Sequence, residues 1–285
     1  MNKLCILFTG IFVLTFLLIS AVHAATVGNP ADLDLPPRSA MLRQQAVDQS
    51  LDEYEETVKV KAAMDIELLF DKDLNTTSEV SSAEMKGEYY MLKLATTLFN
   101  RVEPYIKVGS SNLEVTWRQG PQDLLVETDP GLAWGGGVKA VLWEFEDLGL
   151  RLTGDAQYRY TEPDVNHCSI DGVGRNTQGS TFEIEEWQAS LLVSKKLEIP
   201  LRWGNSVYLA PYTGVTFSDS NVDVKIIDQT NPAADYTLFK ANNDSVFGFV
   251  GGLDILPSLK SSYVYNIEVR LGNETALSLG GAMKF

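Results

Sequence analysis

From Val58 the chain alternates. Val58, Val60, Ala62, Met64, Ile66, Leu68 and Phe70 take every second place, with Lys59, Lys61, Ala63, Asp65, Glu67 and Leu69 between them. Successive side chains of a strand point to opposite faces, so these residues make one strand with an apolar face and a largely charged face. The period returns where Leu150, Leu152, Gly154, Ala156, Tyr158 and Tyr160 oppose Arg151, Thr153, Asp155, Gln157 and Arg159. It returns again around Trp187, Ala189, Leu191 and Val193, and around Tyr263, Tyr265, Ile267, Val269 and Leu271. A chain patterned this way is all-β, and each strand must place its charged face somewhere that charge is tolerated.

The first two dozen residues obey a different rule. Lys3 precedes a mostly apolar run, residues 6–19, and Val22-His23-Ala24 offers a small-residue cleavage site. This reads as a secretory signal over residues 1–24, with a mature chain of 285 − 24 = 261 residues starting at Ala25. After residue 24 there is no apolar run of 18 residues, so any crossing of a bilayer is made by strands. In hydrocarbon every backbone polar group needs an internal partner, which for strands means a closed barrel.

Ten segments carry the alternation: 57–71, 83–99, 102–117, 131–146, 148–161, 180–197, 204–218, 243–256, 259–271 and 274–285. The third changes its apolar face near Ser110, which calls for a bulge. Connections after the second, fourth, sixth and eighth are short. Those at 72–82, 118–130, 162–179 and 219–242 are long and polar, while Gly272-Asn273 makes a tight hairpin. Short turns at one end and long loops at the other is the asymmetry of outer-membrane barrels, whose short end faces the periplasm. The pattern predicts a closed antiparallel up-and-down transmembrane β-barrel of ten strands over 57–285, with eight or twelve strands as the alternatives. In the loop 219–242, Val222, Val224 and Ile226 followed by Tyr236, Leu238 and Phe239 predict a hairpin standing above the membrane, with two further spanning strands as the alternative. Residues 25–56, marked by Pro30, Pro36 and Pro37 and by a short helix after Ser39, form a periplasmic segment or a lumen plug.

The terminal Leu277, Leu279, Met283 and Phe285 resemble the signal that small monomeric outer-membrane barrels of the OmpA-membrane-domain, opacity-protein and OmpW type present to the barrel assembly machinery. Gly281 stands where that signal usually has a bulky residue. A repeated strand opening, Pro104-Tyr105 running to Gly109 and Pro211-Tyr212-Thr213-Gly214, is similar to strand starts in such barrels, with the tyrosines expected as interface anchors. Gly135-Gly136-Gly137 and Gly251-Gly252 resemble strands that bend where a closed sheet is tight. The resemblance spans about residues 57–285 and implies architecture and outer-membrane location, not a ligand. The stretch Val27-Gly28-Asn29-Pro30-Ala31 also resembles the start of chlamydial-type major outer-membrane porins, which are larger barrels.

If the apolar faces meet lipid, the charged faces line the lumen. That assigns Lys59, Lys61, Asp65, Glu67, Lys139, Arg151, Asp155, Arg159, Glu186, Glu268 and Arg270 to the interior. An eight-stranded barrel is just filled by its side chains and true porins need about sixteen strands. Ten strands with both signs of charge inside therefore predict a salt-bridged plug, with a narrow channel as the alternative.

The formal charge of −15, about −16 once Lys3 is removed, argues against nucleic-acid partners. Cys5 leaves with the signal, so no intramolecular disulfide is expected at Cys168. A hydrolase of the omptin kind would need paired aspartates with an Asp–His couple, for which His167 beside Asp164 and Cys168 is the single candidate, and a lipid A deacylase or palmitoyl transferase would need a histidine close to a serine, for which it is His167 with Ser169. Calcium could be held at Asp71-Lys72-Asp73 or at 219–223, though neither has the spacing of a recognised loop. No catalytic set, cofactor or metal is assigned. The expected partners are outer-membrane lipids and, during biogenesis, the assembly machinery and periplasmic chaperones, around a monomer. The expected role is structural or a surface interaction through the long loops; a small channel comes second and an omptin-like hydrolase third.

Overall fold

The computed structural model describes residues 58–76, 80–99, 101–145, 147–176, 179–201, 206–227, 229, 235–243, 245–258 and 261–285. The signal at 1–24, Cys5, the segment 25–56 and the helix after Ser39 lie outside them. Sixteen strands follow one another: β1 (Val58–Asp71), β2 (Asp73–Asn75), β3 (Val80–Leu98), β4 (Val102–Gln119), β5 (Gln122–Thr128), β6 (Gly131–Phe145), β7 (Leu150–Thr161) and β8 (Val165–Ile170) in the first part. The second part holds β9 (Val173–Arg175), β10 (Thr181–Lys195), β11 (Leu197–Pro200), β12 (Ser206–Ile227), β13 (Asp235–Asn243), β14 (Phe247–Leu256), β15 (Tyr263–Leu271) and β16 (Thr275–Lys284).

Ten of these close on themselves. The cycle runs β1–β3–β4–β6–β7–β10–β12–β14–β15–β16 and returns to β1, antiparallel throughout. Closure is made by β1 on β16, from Lys61 opposite Lys284 through Ile66 opposite Leu279 to Asp71 opposite Thr275. The backbone amide of Phe285 extends that seam by donating to the Val60 carbonyl at 3.0 Å.

The outward faces form an apolar belt between two aromatic rings. Near the long-loop end, Trp134 packs against Tyr158 and Tyr160, Tyr158 against Trp187, and Phe217 and Phe249 against Phe247. Near the short-turn end lie Trp143 against Phe145, with Tyr263, Tyr265 and Phe285 exposed. The rise from Trp134 to Trp143, at a tilt of about 40°, is about 23 Å, close to the ~25 Å apolar band of a transmembrane barrel. Between the rings the exposed side chains are Leu92, Leu94, Ile106, Val108, Val138 and Ile267.

Beyond the upper ring the sheet continues. β4 turns into β5, β5 pairs with β8, and β8 turns into β9. On the other side β12 runs on to Ile227 and pairs with β13, which meets β2. The loop 219–242 is thus the expected hairpin, an unbroken extension of a spanning strand.

No bulge sits at Ser110. β4 keeps its register with β3 through Tyr90 opposite Ser110 and with β6 through Ser110 opposite Leu132. Its odd-numbered residues face inward along its length: Tyr105, Lys107 and Ser111 are buried, and so are Leu113, Val115 and Trp117. What changes at Ser110 is the surroundings. Below it the outside is apolar and the inside polar; above it water lies outside and an apolar core inside. β3 does the same, with Lys93 and Thr97 inside below, and Met85, Tyr89 and Met91 inside above. Real register shifts fall at Leu69/Asp71, at Ser81/Glu84 and at Val141/Trp143. The last makes Leu142 and Trp143 both exposed and turns Glu144 back toward the interior.

Tyr105 and Tyr212 are not interface anchors. Each is 4% exposed and leans over a glycine directly across the ladder, Gly137 and Gly252 respectively. The glycines leave room for a ring that would otherwise have no place against the barrel wall. The phenol then reaches a lumen carboxylate, while Pro104 and Pro211 stay exposed.

Candidate functional site

The lumen holds most of the chain's buried charge, in layers. The uppermost layer is apolar. Met85, Leu113, Val115, Val126, Ile184 and Val224 belong to one contiguous cluster that also takes in Leu74 of β2, Ile170 of β8 and Tyr236 of β13. Loop strands and strand extensions therefore roof the barrel. Cys168 is buried in this roof, whereas the neighbouring His167 is exposed, so the two face opposite ways.

Beneath the roof is an ion network. Arg159 is its hub: Nη1 donates to Glu67 at 2.9 Å, Nη2 to Glu186 at 2.5 Å, and the guanidinium lies 3.8 Å from the Tyr89 ring centroid. Arg270 lies 3.4 Å from Glu67, 3.7 Å from Glu268 and 3.5 Å from Glu274. Lys72, fully buried, reaches in from just beyond β1 to within 3.3 Å of Glu186 and 3.5 Å of Glu274. Burial pushes the Lys72 ammonium below its ordinary range, while Glu186 pulls it back up. Desolvated charges survive only when paired this closely, because an isolated one costs several kcal/mol or more.

The lower layer mixes lysines and acids. Lys61 and Lys93 converge on Glu103 at 2.8 and 3.1 Å, and Lys107 stands 3.7 Å from Asp65. The Tyr105 phenol donates to Asp155, the Tyr212 phenol to Glu268, and the Asn266 amide to Asp254. A cavity of about 40 Å³ opens here toward the short-turn end, between Lys61, Lys93, Glu103, Lys284 and the small residues of 280–282. At the rim Arg101 and Arg151 both hold Glu144, at 2.9 Å each.

Of the residues assigned to the lumen from sequence, Lys61, Asp65, Glu67, Lys139, Asp155, Arg159, Glu186, Glu268 and Arg270 are buried in these layers. Lys59 and Arg151 are half-buried at the short-turn rim. Sequence reasoning missed Lys72, Lys93, Glu103, Lys107, Asp254 and Glu274. Glu103, Tyr105 and Lys107 alternate plainly beside Pro104 and Ile106 and were open to discovery. Lys93 sits in phase with apolar Met91 and Ala95, and Lys72 enters from a loop, so neither carries a signal. Leu277, Leu279, Met283 and Phe285 lie on the outer face, with Leu279 and Phe285 exposed.

Outside the barrel, ligand oxygens of Asp71, Asp73 and Glu84 come within 4.8 Å of one another. Burial first, then the Asp73 and Glu84 carboxylates, raise the Asp71 carboxyl above its ordinary range. Asp219 and Asp223 are strung along β12 at its outer face instead of converging.

No family model matches the chain. Among curated proteins it is similar to the major outer membrane porin, serovar B, of Chlamydia trachomatis, 25% identical over 195 residues, 59% of this chain and 46% of the porin. The chain thus spans about half the length of that relative. Among solved structures it is similar to the translocator domain of the autotransporter NalP from Neisseria meningitidis, at 11% identity and a TM-score of 0.37, covering 87% of this chain and 95% of that one. It is also similar to the β domain of the Bordetella autotransporter BrkA, at 11% identity and TM-score 0.40, covering 81% and 100%. A third is the outer membrane protein OprG of Pseudomonas aeruginosa, at 8% identity and TM-score 0.36, covering 80% and 96%. The belted, closed ten-strand architecture is that of an outer-membrane β-barrel.

Proposed function

We propose that this chain is exported by its first 24 residues, spans the outer membrane with its short turns in the periplasm, and acts as a non-catalytic structural or interaction module. The observation that supports this most is the roof. Met85, Val115, Val126, Ile184 and Val224 fill the outer end of the lumen with an apolar core, over an ion network in which Glu67, Glu186 and Glu274 each meet a cation. A water-filled path needs neither feature. The strands that build the roof also raise a two-sided β structure above the membrane, formed by β4–β5–β8 on one side and β12–β13 on the other, and this is the surface a partner would meet.

The test is electrical. Refolded protein, checked by heat-modifiable gel mobility, should stay silent in a planar bilayer under applied voltage. Discrete, reproducible conductance steps would overturn the closed-barrel reading. They would favour a small channel, the second reading, which the porin relative supports.

A further inference from the structure

Below the roof the lumen side chains leave two openings, and one residue borders both. The lower one, about 40 Å³, faces the short-turn end, with Ala63, Ala95 and residues 280–282 on one side and Lys61, Lys93, Asp65 and Glu103 on the other. Lys61 and Lys93 are held by Glu103, so this space has no spare charge with which to hold an anion. The upper one, about 10 Å³, lies among Asp65, Glu67, Lys107, Gln157 and Arg159, with Met91 as an apolar wall. Asp65 stands opposite Met91 on the β1–β3 ladder and 3.7 Å from Lys107, too far for a direct hydrogen bond and close enough to share a water.

Size and lining both suit water. The upper opening has the volume of a single water molecule and is walled by groups that can bind one. Buried oxygens that lack a hydrogen-bond partner gather around the pair. Asn266 Oδ1 belongs to a residue lining the lower opening, and Asp254 Oδ2 to the residue facing Asn266 across the ladder. Gln188 Oε1 belongs to the residue opposite Gln157, and the Tyr89 hydroxyl to the ring that stacks on Arg159. All four residues are more than nine-tenths buried, and such atoms are costly in a dry interior unless a water bridges them. Gly135, opposite both Lys107 and Arg159, keeps the upper opening from being filled, since a Cβ there would run into the Tyr158 carbonyl. The roof differs in kind. Met85 belongs to the same cluster as Leu113, Val115 and Ile184, and space between apolar side chains stays dry.

We propose that the lower lumen is a blind water channel. Water and neutral solutes of its size enter at the short-turn mouth, pass Asp65, reach Met91 and Arg159, and stop beneath the roof. The inference rests on the closed-roof reading, and the two fail separately. Conductance steps in the bilayer would overturn both, whereas an unreactive Met91 in an electrically silent barrel would overturn the path alone.

The probe is hydrogen peroxide, which passes one oxygen atom to a methionine sulfur and leaves as water. Mature full-length protein is refolded in micelles, and peptide mass spectrometry reads the initial rate of sulfoxide formation at each methionine. Met91 and Met85 are both buried, so burial alone predicts equal, slow rates. Met91 should react at least about fivefold faster than Met85, and Ala95→Leu, which adds bulk to the lower opening, should bring it down to the Met85 rate. Ala63→Leu carries the same test if A95L refolds poorly. Equally slow oxidation of Met91 and Met85 in the parent protein would overturn the proposal. A fast Met91 that neither substitution slows would overturn it too, because the peroxide would then reach the sulfur by another route.

Discussion

Replacing Arg159 by Met should remove the keystone of the lumen network and leave the lumen closed. The guanidinium is 6% exposed, bonds Glu67 at 2.9 Å and Glu186 at 2.5 Å, and stacks on Tyr89. Breaking a buried pair by deleting one partner costs about 3–5 kcal/mol, because the stranded charge stays buried. Here each carboxylate keeps a second cation, Arg270 at 3.4 Å for Glu67 and Lys72 at 3.3 Å for Glu186. The loss should therefore fall at the lower end, about 3 kcal/mol. Around the hub, Lys72, Arg159 and Arg270 face Glu67, Glu186, Glu268 and Glu274, so the substitution takes the cluster from −1 to −2. Urea unfolding in micelles, followed by tryptophan fluorescence and gel mobility, measures it. Adding Glu186→Gln should recover about 1–2 kcal/mol relative to the sum of the single changes, as coupled partners do. A loss under about 1 kcal/mol, or strict additivity, would refute the claim that these charges are desolvated and mutually dependent. In a bilayer R159M should be as silent as the parent, because the apolar roof lies above the hub.

Three further outcomes follow from the layering. Val115→Asp buries a carboxylate among the apolar side chains of the roof, at about 3–5 kcal/mol; trypsin should then cut after Arg118 or Arg175 while the belted barrel keeps its heat-modifiable mobility, and unchanged protease resistance would count against the roof. Gly252→Ala pushes on Cζ and the hydroxyl of Tyr212 and on the Ile267 carbonyl and should cost about 1–3 kcal/mol, with Tyr212→Phe in the same background relieving it only in part because Cζ and the carbonyl remain; a neutral result in urea unfolding would show that the tyrosine has room to move. Deleting Phe285 removes the amide that bonds Val60 and the exposed aromatic that ends the chain; assembly into the outer membrane, read by fractionation, should drop severalfold, and full recovery in the membrane fraction would dismiss the terminal signal.

The barrel was legible because lipid and lumen impose opposite demands on alternate residues, as along 58–70. The same logic misread β4. The sequence around Ser110 shows apolar residues moving from even to odd positions, which looks like a slipped register. In the structure the register holds and the solvent changes sides, because the strand outgrows the membrane. Alternation reports which neighbour is apolar, not which direction is inward. The expectation of a salt-bridged lumen saw the charges of β1, β7 and β15, but Lys72 arrives from a loop after a bulge, and no period marks it. Residue type alone points the tyrosines of the two Pro-Tyr starts to the membrane interface. Their role depends on which residue lies opposite, and Gly137 and Gly252 become neighbours only once the ladder is set.

That dependence on register suggests what the buried polar layer contributes. Outward leucines and valines are nearly interchangeable to hydrocarbon, so a strand sliding by two residues keeps its apolar face in lipid at little cost. Inside, the same slip is expensive. Lys61 of β1 holds Glu103 of β4, Lys107 of β4 stands by Asp65 of β1, and Arg159 of β7 reaches Glu67 of β1. These pairs skip over the hydrogen-bonded neighbour, and each is satisfied at one offset between non-adjacent strands. Buried ion pairs are weak evidence for net stability, since a packed apolar core of the same shape often does as well. Their strength is in discriminating one arrangement from its near copies. In a barrel whose outside cannot tell one register from another, the lumen charges are the part of the sequence that can.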